Sequence, residues 1–345
     1  MTSAIQEEET RQRLDATSKG SESVFRRLLR GDKYPIPALG ILVVIALVML
    51  VINPQFLSPG NLSAIAQQAA VPVVVAIGLT FVVLMGGIDL SVEGVMAAAS
   101  LAVALLVANS QSSFDLGLLG VLLAIALGAG LGLIAGASVA WLRIPSFIVT
   151  IGTWQIGLGL GQMMFGSAPP QVEDQFLRDL IRVPVLGVPG LVWIAIAIVV
   201  IGLLLQRMTR FGRYAYVIGD SEEIAMQSGV NVRLFRMMAF VLAGGCAALA
   251  AVMATGRGGV GDVSIGSGLL FTTIAGVVLG GTYLTGGRGG VLHSVAGVLV
   301  IVSISNAMVL GGVNPYVQQA VQGIVVVGAA VATLWHSRAR LRVVK

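Results

Sequence analysis

Long runs of Val, Leu, Ile, Ala and Gly, separated by short polar breaks, dominate the chain from residue 36 to residue 334. The runs are continuous rather than alternating, so they do not read as half-buried strands. Each can span about 30 Å of hydrocarbon as a helix rising about 1.5 Å per residue. They predict ten helices, at about 36–53, 67–85, 92–108, 117–140, 147–165, 188–205, 235–255, 268–283, 291–310 and 315–334. The third and eighth are the weakest, being short or broken by glycine, and re-entrant pieces there would leave eight or nine full spans.

Composition strengthens this reading. With 345 residues, 56% hydrophobic content, 11% charge and a mean hydropathy of +0.94, the chain has more apolar surface than one water-soluble core could bury. Lipid offers backbone amides no hydrogen-bond partner, so the runs must be helical. The fold class expected is therefore an all-α integral membrane protein. Polar stretches at 1–35 and 336–345 read as cytoplasmic tails, the first loosely ordered, around a transmembrane domain at 36–335.

Basic residues stay on the cytoplasmic side during insertion. With the amino terminus inside, eighteen of the 21 Lys and Arg fall in cytoplasmic segments, and only Arg178, Arg182 and Arg257 fall outside. This places both termini in the cytoplasm. The net charge of +5 thus reflects orientation and not a nucleic-acid partner.

Two long loops stand out, an outer one at 166–187 and an inner one within 206–234. The inner loop contains Asp220-Ser221-Glu222-Glu223-Ile224-Ala225-Met226-Gln227-Ser228-Gly229, with a cap residue (Asp or Ser), acids in the first turn and a closing glycine. It predicts a short helix outside the membrane.

Several patterns resemble catalytic motifs and fail on chemistry. Gly259-Val260-Gly261-Asp262 has the form used by intramembrane aspartyl proteases, but the second aspartate such a site needs is missing and Asp262 reads as a loop turn. His293 and Ser294 are adjacent on a helix and so face different ways. The two histidines and lone Cys246 offer no metal cluster or disulfide, and no Walker sequence occurs. Glycines at 128, 132 and 136, at 157 and 161, and at 276 and 280 mark faces for close helix packing. Asp89 and Glu93 read either as an inner-mouth cation site or, with more weight, as a helix start with Asp89 or Ser91 as cap and Glu93 in the first turn. Gly86-Gly87-Ile88-Asp89-Leu90-Ser91 is weakly echoed by Gly280-Gly281-Thr282-Tyr283-Leu284-Thr285.

Asn53-Pro54-Gln55-Phe56-Leu57, the Gly86–Val92 segment, Ile144-Pro145-Ser146-Phe147-Ile148-Val149-Thr150, Gly212-Arg213-Tyr214, Ser228-Gly229-Val230-Asn231-Val232 and Gly286-Gly287-Arg288-Gly289 together carry a resemblance. The chain resembles bacterial ABC importer permeases of the ribose, xylose, galactose and arabinose type. That resemblance implies a ten-helix fold similar to the cobalamin importer permease in the inner membrane. It also implies a homodimer or a pair with a similar permease, an ATP-binding cassette subunit that holds ATP and Mg, and a periplasmic sugar-binding protein. No cofactor is expected on this chain itself. Asp220, Glu222, Glu223, Ile224, Ala225, Met226 and Gly229 are then the expected coupling surface. Gly86, Gly87, Asp89 and Ser91 form an inner-mouth motif, and Thr153, Gln155, Gln162 and Asn306 are candidate path residues. An ion-coupled secondary transporter is the alternative, disfavoured by the scarcity of buried acids.

Overall fold

A computed structural model describes residues 34–314, with 316–318, 320, 321, 323–325, 327 and 328 beyond them. The tail at 1–33, the far end of the tenth predicted helix and the tail at 336–345 lie outside the described residues. The chain is a helical bundle in which α1 (Ile36–Ile52), α2 (Pro59–Leu84), α3 (Val92–Leu106), α4 (Leu118–Leu142) and α5 (Ser146–Phe165) come first. A surface helix α6 (Gln175–Arg182) and a two-stranded hairpin, β1 (Pro184–Val185) with β2 (Val188–Pro189), lead to α7 (Gly190–Met208). Then follow α8 (Arg210–Asp220), α9 (Glu222–Gln227), α10 (Val232–Gly258), α11 (Leu269–Leu279) and α12 (Val291–Leu310). The residues described between 316 and 328 are also helical.

Five of these helices, α2, α4, α7, α10 and α12, are long and apolar enough to cross a membrane, and α1, α3 and α11 are shorter apolar helices. α2 is the axis of the bundle. Its apolar window is 89% buried, against 33% for α4 and 22% for α7, so α2 is wrapped by protein while α4 and α7 turn apolar side chains outward. α2 begins eight residues earlier than its hydrophobic run, because Ser58 accepts the Asn61 N–H at 3.3 Å and Pro59 occupies the first turn.

The glycine faces pack as their spacing predicts. A side chain at Gly128, Gly132 or Gly136 would collide with the α10 backbone around Gly244, Phe240 and Met237, and one at Gly157 would strike Gly94 of α3. Polar pairs add cross-links between distant segments. The Asn61 and Asn306 amides exchange two hydrogen bonds, at 2.9 and 3.0 Å, Thr80 donates to Ser294 Oγ at 2.6 Å, and the Ser100 and Thr255 hydroxyls lie 2.7 Å apart. Ser294 is thus engaged with α2 and not with the buried His293.

The two weakest predicted helices are the broken ones. After α2 the chain does not enter a helix at once. Ile88 and Leu90 donate their N–H groups to Ser146 Oγ (3.0 Å) and Thr150 Oγ1 (3.1 Å), so residues 88–91 climb beside the first turn of α5. α3 therefore starts beside the middle of α5, where Gly94 meets Trp154 and Gly157. On the return, residues 261–268 run along α3 in the opposite sense, with Gly261 against Ser100 and Ala104 and Gly266 against Glu93 and Met96, before α11 begins.

Candidate functional site

The predicted coupling surface is built from two helices. Thr209 caps α8 by accepting the Gly212 N–H, and Ser221 caps α9 by accepting the Ile224 N–H, both at 3.3 Å. Asp220 ends α8, so the cap of α9 is the serine. Gly229, at φ +77°, closes the module in the left-handed region that glycine tolerates. Within α9, Ala225 is fully buried and anchors the helix, whereas Glu222, Glu223, Ile224 and Met226 are exposed, Ile224 at 59% and Met226 at 54%. Two large apolar side chains flanked by acids on a surface helix are suited to a protein partner. Glu222 also pairs with Arg236 of α10 through two hydrogen bonds, the shorter 2.7 Å.

The module sits on two glycine-rich segments from distant parts of the chain. Gly287 donates its N–H to the carbonyl of Leu84, the last residue of α2, at 2.9 Å. Gly219 of α8 lies so close to that carbonyl and to Gly287 that no Cβ fits, and Gly286 (φ +87°) is wedged among Gly219, Gly86 and Leu84. Tyr216 accepts from Gln206 Nε2 and donates to the Gly289 carbonyl, each at 2.7 Å, and Gln206 Oε1 in turn accepts the Val291 N–H at 2.7 Å. Burial raises the Tyr216 phenol above its ordinary 10.0 despite the Gln206 hydrogen bond, so it stays a protonated donor. The seating of α8 and the 283–290 loop was not legible beforehand; the motifs that form it were visible only as separate glycine pairs.

Gly86, Gly87 and Ser146 line a cavity of about 910 Å³ beside this module, together with Arg143, Glu222, Met226, Gly229, Arg233 and Arg236. Asp89 is buried. Its Oδ1 accepts from both the N–H (2.8 Å) and hydroxyl (2.6 Å) of Ser91, which makes a turn rather than a helix cap. Ser91 occupies the N-cap position of α3 without a side-chain cap bond. Glu93 is in the first turn as expected, but its carboxylate accepts the N–H of Gly268 at 3.0 Å, at the start of α11.

The four candidate path residues divide in two. Thr153 is buried and donates to the Val149 carbonyl at 3.1 Å, and Asn306 is tied to Asn61. Gln155 and Gln162 lie on an exposed face of α5, alternating with Gly152 and Gly159, which have open space around them. At the far end of that face, Leu158, Gln162 and Phe165 line a cavity of about 520 Å³ with Asp262, Val263, Ser264 and Ser267. Asp262 is a loop turn, as expected, accepting from the Ser264 N–H and hydroxyl.

The outer loop secures this second end. Asp174 caps α6 by accepting the Leu177 N–H at 2.6 Å, and Leu177 and Ile181 bury against Gly256. Arg182 donates to the carbonyls of Gly256 (3.1 Å) and Arg257 (2.8 Å), placing a cation at the carboxyl end of α10. Gly261 donates to the Pro170 carbonyl at 2.9 Å, so Pro169-Pro170 holds the start of the 261–268 segment.

Comparison with known families fits this arrangement. Residues 61–330 match the model of the family described as branched-chain amino acid transport system / permease component. The chain belongs to that permease family. Among curated relatives, the permease is 35% identical to the probable ABC transporter permease protein YphD of Escherichia coli, over 86% of this chain and 89% of the relative. It is 33% identical to the ribose import permease protein RbsC of Escherichia coli, over 84% and 89%. It is 30% identical to the D-allose transport system permease protein AlsC of the same organism, over 93% and 96%. No solved structure matches.

Proposed function

We propose that this permease is the membrane-spanning subunit of an ATP-driven importer for a monosaccharide or related polyol. The observation that carries the reading is similarity to the ribose and D-allose permeases over 84% and 93% of the chain, through both the broken helices and the coupling module. The family title names branched-chain amino acids. The ribose and D-allose relatives are named for sugars, and the solute class proposed here follows them.

The permease would sit in the plasma (inner) membrane as ten spans, with both termini and the α8–α9 module in the cytoplasm. The distribution of basic residues supports that orientation. An ATP-binding cassette subunit, carrying ATP and Mg, docks on Ile224 and Met226 with Glu222, Glu223 and Gly229 around them. A periplasmic binding protein delivers the sugar to the opposite end. Two copies of the chain form the path between them, lined by the open face of α5 with Gln155 and Gln162 foremost and Thr153 packed behind, and with Asn306 contributed from α12.

Mechanically, the contact between Leu84, Gly219 and Gly287 joins the docking module to α2, the axis of the bundle. A push on α9 from the motor is thereby delivered to α2, α12 and the 283–290 loop together.

Uptake of a labelled sugar panel into vesicles tests the reading, with ATP inside and the candidate motor and binding proteins present or withheld. Uptake that needs all three components and survives an uncoupler is expected. Uptake by this chain alone that an uncoupler abolishes would instead make it an ion-coupled transporter.

A further inference from the structure

The two broken helices meet inside the bundle, and what they present there bears on the solute. The cavity between the end of α5 and the 262–267 segment mixes polar side chains, Gln162, Asp262, Ser264 and Ser267, with apolar ones, Leu158, Phe165 and Val263. The Gln162 amide is a donor and an acceptor with no hydrogen bond among the described residues. Both Asp262 carboxylate oxygens accept from Ser264 and retain lone pairs, and Ser267 adds an exposed hydroxyl. Leu158 and Phe165 supply the apolar wall. Vicinal hydroxyls need converging donors and acceptors, while the C–H face of a sugar ring needs an apolar surface. This cavity offers both.

A half-helix that starts inside a membrane bundle is ordinarily a place to capture a solute carboxylate, because its amino end carries partial positive charge. Here that end is already occupied. Glu93, from the start of α3, places its carboxylate on the Gly268 N–H where α11 begins. An incoming carboxylate would find that helix end taken by Glu93 and, in the cavity itself, would meet Asp262.

We propose that the cavity lined by Gln162, Asp262, Ser264 and Ser267 is a solute-binding station for a neutral polyhydroxy compound, and that Glu93 excludes anionic solutes from it. The inference rests on the importer reading above and narrows it. A neutral monosaccharide passes, whereas a uronate or an amino acid, each carrying a carboxylate, is rejected inside the permease as well as by any delivery protein.

The test uses Val263→Cys, which borders the cavity without contributing any of its hydrogen-bonding groups, in the complete transporter reconstituted in vesicles. The native Cys246 is buried, so a small membrane-impermeant methanethiosulfonate reports on position 263 against an unsubstituted control. The panel is D-ribose, D-allose, L-arabinose, D-galacturonate and L-leucine, with uptake measured in the same vesicles. An imported sugar should slow modification about threefold when present at about twice its dissociation constant, while galacturonate and leucine leave the rate unchanged. Sugar uptake without protection overturns the station and leaves the importer reading standing. Leucine uptake without sugar uptake, or no uptake of any of the five, overturns both. Adding Glu93→Gln should bring on protection by galacturonate, and continued indifference to it would remove Glu93 from the proposal.

Discussion

Leu84 and Gly287, more than two hundred residues apart in sequence, are joined by a 2.9 Å hydrogen bond from the Gly287 N–H to the Leu84 carbonyl. Gly219 is pressed against both. A carbonyl at a helix end needs a partner, and here the partner comes from the loop that also holds Tyr216. Gly219→Ala would place a methyl on that carbonyl and lift α8 off α2, at a cost of about 1–3 kcal/mol for an overpacked contact. We expect a lower melting temperature in detergent and a loss of uptake that exceeds the loss of inserted protein. Unchanged uptake would show that α8 need not sit on α2.

Replacing Glu223 with Lys and, separately, Gly229 with Val should uncouple transport without impairing insertion. Glu223 is exposed beside Ile224, and Gly229 has the positive φ that a β-branched residue resists. Uptake and binding-protein-stimulated ATP hydrolysis, measured on equal amounts of membrane protein, check this. Normal values of both would exclude these residues from the docking surface. By contrast, Glu222→Gln should alter stability by less than about 1 kcal/mol, because its ion pair with Arg236 is partly exposed.

Asn306→Leu leaves the Asn61 amide half-satisfied in the interior, and we expect a loss of about 1–3 kcal/mol in stability. Combining it with Asn61→Leu should recover part of that loss, since both partners are then apolar. Thermal unfolding of the two single variants and the double variant measures the coupling. Additive losses would mean that the two amides act independently.

Tyr216 carries a pH dependence of defined sign. Its phenol is raised in the folded state, so above about pH 10 the unfolded chain gives up this proton first. Folded stability from this group is intact below that value and declines as pH rises toward the folded-state pKa. Tyr216→Phe should lower stability at neutral pH, through loss of the bonds to Gln206 and Gly289, and should flatten the decline above pH 10. Melting curves across pH 8–11 decide it, and parallel curves for the two proteins would exclude Tyr216 as the source.

How much of this was legible in the sequence depends on where each residue spends its free energy. Hydrocarbon compels helices, so the apolar runs located α1, α4, α5, α7, α10 and α12 closely. The glycine spacings likewise named the faces that pack. The starting turns of α2 missed because they are polar, held by Ser58 and Pro59 instead of by burial. α6 and α8 are amphipathic surface helices that carry no lipid signal. α9 was legible because its cap and closing glycine are local. The role of Glu93 was not, since a carboxylate in the first turn of one helix reads as belonging to that helix, and its partner Gly268 lies far along the chain. For the same reason the bonding of the Asn306 amide to Asn61, at the start of α2, was not legible.

The enclosure of α2 has a consequence for how the protein is made. α2 leaves the ribosome about 150 residues before the first turn of α10, and about 200 before α12, the helices that cover it. At translation rates of about 5–20 residues per second, its flanks face lipid for roughly 7 to 30 seconds before α10 arrives. A segment destined for the interior must therefore be tolerable to the bilayer on every side during that wait. Its uncharged run from 71 to 84, built mostly of Val, Ile, Leu and Phe, records the demands of biogenesis as much as those of the finished bundle.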